Sequence, residues 1–129
     1  MTNDTMNTRK AILVTPEVCI GCRACQVACK SWNQLPGIKT RNDGSYQNPP
    51  DLESAAYNII RFSEVPSKVD PVRWLFVSRR CMHCEDAGCM QICPSGALYR
   101  TEEGAVAYDR VKCIGCRLCV TACSFDVPR

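Results

Sequence analysis

Twelve cysteines in a chain of 129 residues limit what this protein can fold into more strongly than any other feature. Such a density occurs either in secreted disulfide scaffolds or in proteins that bind metals and clusters. The cysteines form three groups of four: Cys19, Cys22, Cys25 and Cys29; Cys81, Cys84, Cys89 and Cys93; and Cys113, Cys116, Cys119 and Cys123. Their spacing decides between the two classes.

The first and third groups repeat one another. Both have the spacing C-x2-C-x2-C-x3-C, and the sequence CIGCR occurs at residues 19–23 and again at residues 113–117. The second group is wider in the middle, with the spacing C-x2-C-x4-C-x3-C, and Pro94 follows it directly. Such self-similarity indicates a duplicated structural unit.

This spacing favours 4Fe-4S clusters. Two residues between successive cysteines allow a tight loop, so that three thiolates can converge on three corners of one cubane. Gly21 and Gly115 would let the backbone of this loop approach sulfur closely. The fourth cysteine follows three residues later, and we expect it to begin a short helix and to point away from the others. In bacterial ferredoxin-type sequences this fourth cysteine binds the other cluster of a pair.

Crossed pairing of this kind predicts two complete cluster sites. One site is formed by Cys81, Cys84, Cys89 and Cys123. The other is formed by Cys113, Cys116, Cys119 and Cys93. The first group stays incomplete, because its triad Cys19, Cys22 and Cys25 lacks an obvious fourth ligand and Cys29 lacks a partner triad. A third cluster would need a thiolate from Cys29 or from outside this chain.

Two other uses of cysteine fit less well. Structural zinc sites usually take two ligands from each of two loops, whereas here three or four thiols crowd each loop and His83 is the only histidine. Disulfides between cysteines three residues apart would be strained short-range bridges. His83 is expected either to be exposed or to lie beside a ligand. Arg23 and Arg117 occupy matching positions, where they either raise a cluster potential or are solvated surface residues.

The segments between the cysteine groups predict two β-hairpins. Residues 97–100 and 105–108 flank a glycine-containing turn and predict a short hairpin between the second and third groups. Residues 30–80 form an insertion between the first and second groups. Within it, residues 57–62 and 74–77 are β-prone and predict a second hairpin.

The insertion has three possible roles: it covers a cluster, contacts a partner, or is a solvated embellishment. Its aromatic residues could seal an obligate interface. These residues are Trp32, Tyr46, Tyr57 and Trp74.

Composition and charge exclude several function classes. The formal net charge is only +3, and iron-bound thiolates would offset it, so nucleic acid is not an expected partner. The polar start of the chain predicts no signal peptide. No stretch approaches the roughly 18 apolar residues of a membrane span. No serine, histidine and carboxylate set suggests a hydrolytic site, and the length fits one domain over residues 1–129.

Three segments carry a resemblance to the iron–sulfur (beta) subunit of formate dehydrogenase. They are residues 22–36, CRACQVACKSWNQLP, residues 44–52, GSYQNPPDL, and residues 122–129, ACSFDVPR. That subunit is one of the four-cluster ferredoxin-like subunits of the molybdopterin oxidoreductases, and the resemblance covers nearly all 129 residues. It implies an α+β, bacterial ferredoxin-like fold with short helices, small β-hairpins and a loop-rich insertion. Family members continue into a fourth cysteine group, so we expect this chain to be truncated before that group, or its missing ligands to come from elsewhere.

The resemblance also implies a function. A separate alpha subunit with a molybdenum or tungsten pterin cofactor would interconvert formate and carbon dioxide, and this chain would relay its electrons through 4Fe-4S clusters. A membrane cytochrome or another redox subunit is a further candidate partner. Two alternatives stay open: a beta subunit for a dimethyl sulfoxide, nitrate or sulfur-compound reductase, and a stand-alone ferredoxin carrier. We expect a periplasmic location if a signal-bearing partner exports the chain, and a cytoplasmic one otherwise.

Overall fold

The computed structural model describes residues 9–69 and 71–129. These residues form two compact units. Residues 14–81 and Arg129 form the long-hairpin unit, and residues 9–13 and 82–128 form the short-hairpin unit. The expectation of one domain with an insertion at residues 30–80 stays a prediction.

Short helices and small antiparallel sheets make up the regular structure, in agreement with the expected α+β class. A 3-10 turn at Pro16–Val18 precedes the first cysteine group. In chain order the other elements are helix α1 (Ala24–Trp32), strands β1 (Asn58–Val65) and β2 (Arg73–Arg80), helix α2 (Gly88–Gln91), strands β3 (Leu98–Arg100) and β4 (Val106–Tyr108), and helix α3 (Leu118–Thr121).

Strands β1 and β2 form the hairpin predicted within the insertion, and each strand is eight residues long. They pair antiparallel, with Phe62 opposite Phe76. Because side chains alternate across a strand, Phe62, Phe76 and Trp74 share one face of this sheet. Val77 and Leu75 lie on the other face.

The long-hairpin unit has a small apolar core where β1 begins. Asn58, also buried, accepts a hydrogen bond of 2.8 Å from the Ser78 hydroxyl on β2, so its amide oxygen is satisfied. A core of this size provides limited hydrophobic stabilisation, which suits a protein that gains further stability from bound groups. The buried apolar residues of this unit are Pro49, Leu52, Ala55, Ala56, Ile59 and Ile60.

Helix α1 buries none of its own residues and is held by polar side chains. The Gln26 side-chain oxygen accepts the backbone N–H of Ile60 at 3.2 Å. The Lys30 ammonium group donates to the carbonyl oxygen of Ala55 at 2.8 Å. These bonds connect the helix that carries two cysteines of the first group to the core beside β1.

Strands β3 and β4 form the predicted short hairpin, with Leu98 opposite Tyr108. Its turn is closed by a 2.8 Å hydrogen bond from the N–H of Thr101 to the carbonyl of Ala105. Gly104 has a φ of +90°, a conformation that glycine adopts without strain. The glycine-containing turn therefore correctly predicts the short hairpin.

The expectation that the fourth cysteine of each group begins a helix is wrong. In the second and third groups, the short helix contains the third cysteine, Cys89 or Cys119, and ends before the fourth. In the first group, α1 contains both Cys25 and Cys29.

The aromatic residues of the insertion have different environments. Trp32 at the end of α1 is 88% exposed. Tyr46 instead packs edge-on against Trp74, with ring centroids 4.7 Å apart. An obligate interface at these residues stays a prediction, but Tyr46 and Trp74 already have partners within the chain.

Asp51 joins two arginines in the long-hairpin unit. Its carboxylate accepts hydrogen bonds from Arg129 and from the N–H of Leu52 at 2.8 Å each, and it lies 3.0 Å from Arg79 on β2. Partial burial raises the pKa of Asp51, but the hydrogen bonds from Arg129 and Leu52 and the two positive charges outweigh it and hold the pKa below its ordinary value. The carboxylate is therefore charged at neutral pH.

We expect Asp51→Asn to lower the thermal midpoint of the anaerobically purified protein, followed by circular dichroism at pH 7. The charge–charge attraction is lost, and because the Asp51 side chain is 43% exposed the effect should stay within about 1 kcal/mol. Asp43→Asn is the control, since Asp43 bonds Ser45 within its own turn. Equal midpoints for the two variants would contradict a stabilising role for Asp51.

Candidate functional site

The loop of the first cysteine group turns sharply twice. Cys19 follows the 3-10 turn, and its N–H donates to the Pro16 carbonyl at 3.2 Å. Gly21 and Arg23 both have positive φ values, +67° and +61°. Arg23 is the residue before α1, so the reversal of the chain at this position starts the helix that carries Cys25.

The loop of the third group has the same backbone conformation. Gly115 and Arg117 have φ values of +70° and +60°, and α3 begins directly after Arg117. The sequence repeat is therefore also a structural repeat. In both copies, the backbone reverses at the two positions that flank the second cysteine of the group.

The second cysteine group is attached to the short hairpin through Arg100 of β3. One terminal nitrogen of its guanidinium donates to the carbonyl of Cys84 at 2.5 Å and of Glu85 at 2.7 Å. The other terminal nitrogen donates to the carbonyl of Gly104 at 2.7 Å. One cation thus connects the wide loop of the second group to the β3–β4 turn.

His83 contributes to the same attachment. Its side chain is exposed, as expected, and its Nδ1 accepts the backbone N–H of Val106 on β4 at 3.0 Å. Because Nδ1 accepts, the ring proton is assigned to Nε2. With a φ of +49°, His83 also supplies the tight turn between Cys81 and Cys84.

Helices α2 and α3 meet at Gly88. A Cβ atom at Gly88 would lie 3.1 Å from the carbonyl oxygen of Ala122, so a larger residue would be crowded there. Cys89 follows Gly88, and Cys123 follows Ala122. The contact therefore brings together the chain segments that carry the third cysteine of one group and the fourth of another.

Hydrogen bonds distinguish the sulfur atoms electrostatically. The N–H of Leu98, the Ser95 hydroxyl and the N–H of Ala97 lower the pKa of the Cys93 thiol to about 7. The Cys113 sulfur accepts the N–H of Gly115 at 3.4 Å. Such donors stabilise a thiolate, which is the form that binds iron.

Two other thiols, those of Cys119 and Cys29, have a raised pKa, which disfavours their anionic form. Burial raises the pKa of Cys119, and the neighbouring Cys116 and Cys113 raise it further, so these three thiols interact electrostatically. Burial also raises the pKa of Cys29, against the opposing effects of Arg80 and the Asn33 amide. Bound iron would compensate these anions, since a coordinating thiol is deprotonated outright.

All twelve cysteines lie within the described residues, and each is a thiol rather than half of a disulfide. Across residues 9–69 and 71–129, no three Cys, His, Asp or Glu side chains are placed to hold a single metal ion. A cubane differs from a single ion because its thiolates contact separate corners and surround a volume. The donor set of soft sulfur ligands in repeated tight loops fits this group.

Neither Arg100 nor Gly88 was identified from the sequence. Arg100 ends a predicted strand and Gly88 precedes a cysteine, but neither position reveals a distant carbonyl partner. Arg23, predicted either beside a cluster or in solvent, has its guanidinium carbon 4.7 Å from the centre of the Phe62 ring.

In the part of the chain that the structure describes, no helix has the length and apolar character of a membrane span.

Comparison with known proteins agrees with the cluster type that the cysteine loops indicate. The chain matches two family models that are each described as a 4Fe-4S dicluster domain, one over residues 18–97 and the other over residues 72–129. The chain belongs to the 4Fe-4S dicluster domain family. Family membership agrees with the ligand type and the duplicated loops described above.

Curated relatives include iron–sulfur subunits of formate dehydrogenases. The chain is 43% identical over 120 residues to the formate dehydrogenase-O iron-sulfur subunit of Escherichia coli K12, covering 92% of this chain and 40% of that protein. It is 41% identical to the formate dehydrogenase iron-sulfur subunit of Haemophilus influenzae, covering 92% and 38%. The resemblance found in the sequence is thereby confirmed, and the chain spans about 40% of the length of these relatives.

A relative from another enzyme complex is also similar. The thiosulfate reductase electron transfer subunit PhsB of Salmonella typhi is 41% identical over 109 residues, covering 84% of this chain and 49% of that protein. Proteins similar to this chain are therefore named as subunits of a formate dehydrogenase and of a thiosulfate reductase.

We expect Arg100→Gln to lower both the thermal midpoint and the iron content per chain after anaerobic purification. A hydrogen bond to a charged group contributes about 1.5–3 kcal/mol, and glutamine cannot reach three carbonyls. Arg110→Gln is the matched control, because Arg110 is exposed and lies two residues after the end of β4. Equal iron retention in the two variants would show that Arg100 does not hold the loop.

Proposed function

We propose that this chain is an electron-transfer subunit whose cysteine thiolates hold 4Fe-4S clusters. A bound cluster of this type accepts and releases one electron at a time. The chain's own residues supply thiolates, fix the loops and tune the sulfur atoms with N–H donors. The observation that carries this proposal is the duplicated cysteine loop with matching positive φ values at Gly21 and Gly115, and at Arg23 and Arg117.

The site best supported within one compact unit is formed by Cys93, Cys113, Cys116 and Cys119. All four belong to the short-hairpin unit. The N–H donors at Cys93 and at Cys113 favour thiolates at both ends of this set. Hydrogen bonds to sulfur also stabilise the more negative, reduced cluster and so raise its potential.

The set Cys81, Cys84, Cys89 and Cys123 is proposed from the crossed spacing. The contact of Gly88 with the Ala122 carbonyl supports the part of this pairing that involves Cys89 and Cys123. The triad Cys19, Cys22 and Cys25 would bind a third cluster with a thiolate from Cys29 or from another source.

Crossed pairing is tested by removing one ligand at a time and recording low-temperature electron paramagnetic resonance spectra of the reduced protein. We expect Cys93→Ser and Cys113→Ser to remove or alter the same cluster signal, because the two residues share a cluster. Cys89→Ser should alter a different signal and serves as the control. If Cys93→Ser changed the same signal as Cys89→Ser, the fourth cysteine would bind within its own group and the crossed assignment would be wrong.

For the biological role, we propose that the chain transfers electrons for a molybdenum or tungsten pterin formate dehydrogenase. The identity to two formate dehydrogenase iron–sulfur subunits over most of this chain supports this role. Identity to the thiosulfate reductase electron transfer subunit supports a sulfur-compound reductase as the second candidate. The location would follow that of the catalytic partner, periplasmic if that partner carries an export signal.

Affinity purification of the tagged chain from its native cells under anaerobic conditions distinguishes these roles. We expect a large pterin-containing subunit to co-purify and formate to reduce the clusters, which bleaches their visible absorption. Reoxidation of the reduced clusters by thiosulfate, without reduction by formate, would favour the second candidate. A monomer without a pterin-containing partner would contradict both and favour a ferredoxin carrier.

A further inference from the structure

We propose that the aromatic face of the β1–β2 hairpin is a cover that keeps water away from the cluster bound by Cys19, Cys22 and Cys25, and so lowers its reduction potential. The cover consists of Tyr46, Phe62, Trp74 and Phe76, and we call it the aromatic cover. This inference rests on the proposed function, because it requires the first cysteine group to hold a cluster.

The aromatic cover is one continuous set of rings. Phe62 and Phe76 face each other across the two strands, with centroids 5.0 Å apart and planes at 71°. Trp74 stacks on Phe76 at 6.1 Å, and Tyr46 meets Trp74 edge-on. Edge-on and stacked contacts at these distances are favourable geometries for aromatic pairs.

The aromatic cover contacts the cysteine loop directly at Gly21. A Cβ atom at this position would lie 3.0 Å from two carbons of the Phe76 ring and 3.2 Å from the Phe62 ring. A Cβ atom at this position would therefore be crowded unless the rings moved by a few tenths of an ångström. Arg23, the other residue of positive φ in this loop, has its guanidinium group over the Phe62 ring.

The third cysteine group provides an internal comparison. Gly115 is the counterpart of Gly21 and has nearly the same φ, +70° against +67°. No atom of the described structure lies within 4 Å of a Cβ built at Gly115, beyond its chain neighbours. The loop conformation therefore does not require the aromatic cover, and the hairpin is an addition to one copy of the repeat.

Water exclusion has a definite effect on a cluster held by thiolates. Reduction adds a negative charge to a site that is already anionic, and water stabilises the more highly charged state more strongly. Exclusion of water therefore disfavours the reduced state and lowers the potential. Arg23 and Arg117 place the same charge type in both loops, whereas the aromatic cover contacts only the loop at Gly21 and not the one at Gly115.

The test is a redox titration of the anaerobically purified native complex, monitored by electron paramagnetic resonance. Cys22→Ser first identifies the signal of the first-group cluster. We expect Phe76→Ala to shift this signal to higher potential and to leave the other cluster signals in place. Leu75→Ala is the matched control, because Leu75 is the neighbouring residue on the opposite face of β2 and should shift none of the signals.

A second pair of variants covers the case in which Phe76→Ala does not fold. Gly21→Ala and Gly115→Ala impose the same positive φ on alanine, but only the former meets aromatic rings. We expect Gly21→Ala to displace the rings and raise the potential of the first-group cluster. Gly115→Ala should leave the first-group signal in place. It has no rings within 4 Å to displace, so it should not shift the signal of its own cluster by that route. If Gly21→Ala lowers the iron content, adding Phe76→Leu should relieve the crowding and restore it.

The outcomes separate this inference from the proposed function. A first-group signal that is present but unmoved in both Phe76→Ala and Gly21→Ala would overturn the aromatic cover alone. A shift to lower potential would overturn it as well, because water entry has the opposite sign. The absence of any signal that Cys22→Ser removes would overturn the proposed first-group cluster and, with it, the cover.

Discussion

The rest of this structure depends on the need to bring several thiolates close together within a short stretch of chain. Such thiolates repel one another when charged, and extended or helical backbone alone would point them in different directions. The chain meets this requirement with residues of positive φ beside the cysteines, at Gly21, Arg23, His83, Gly115 and Arg117. Bound iron would then compensate the negative charges that these turns bring together.

Support for the loops comes from hairpins rather than from a large core. In the short-hairpin unit, Arg100 donates to three backbone carbonyls and His83 accepts an N–H from β4. In the long-hairpin unit, aromatic rings contact Gly21 and polar side chains connect α1 to the core. Each unit therefore fixes its cysteine loops by directional contacts, which suits a chain with few buried apolar residues.

Duplication of the loop without duplication of its surroundings gives the protein two cysteine loops of nearly the same backbone conformation with different neighbours. The backbone of residues 19–23 and of residues 113–117 is nearly the same at the glycine and arginine positions. Phe62 and Phe76 lie against Gly21, whereas a Cβ atom at Gly115 would meet nothing within 4 Å. Similar ligand sets can in this way differ in hydration, which is one of the means by which proteins separate the potentials of chemically identical clusters.

The sequence by itself determined the cluster type, the family and both hairpins, because these follow from local spacing and from turn residues such as Gly104. The ligand residues stay a prediction from the same spacing. Tertiary structure decided which side chains support the loops. Arg100 reaches the carbonyls of Cys84 and Glu85 from another element, and Phe76 reaches Gly21 across the long-hairpin unit. Helices α1 and α3 also begin one cysteine earlier than the spacing suggested, because the reversals at Arg23 and Arg117 start them. A local sequence pattern determines the conformation of residues that are adjacent in the chain, whereas contacts between distant residues depend on how the whole chain packs.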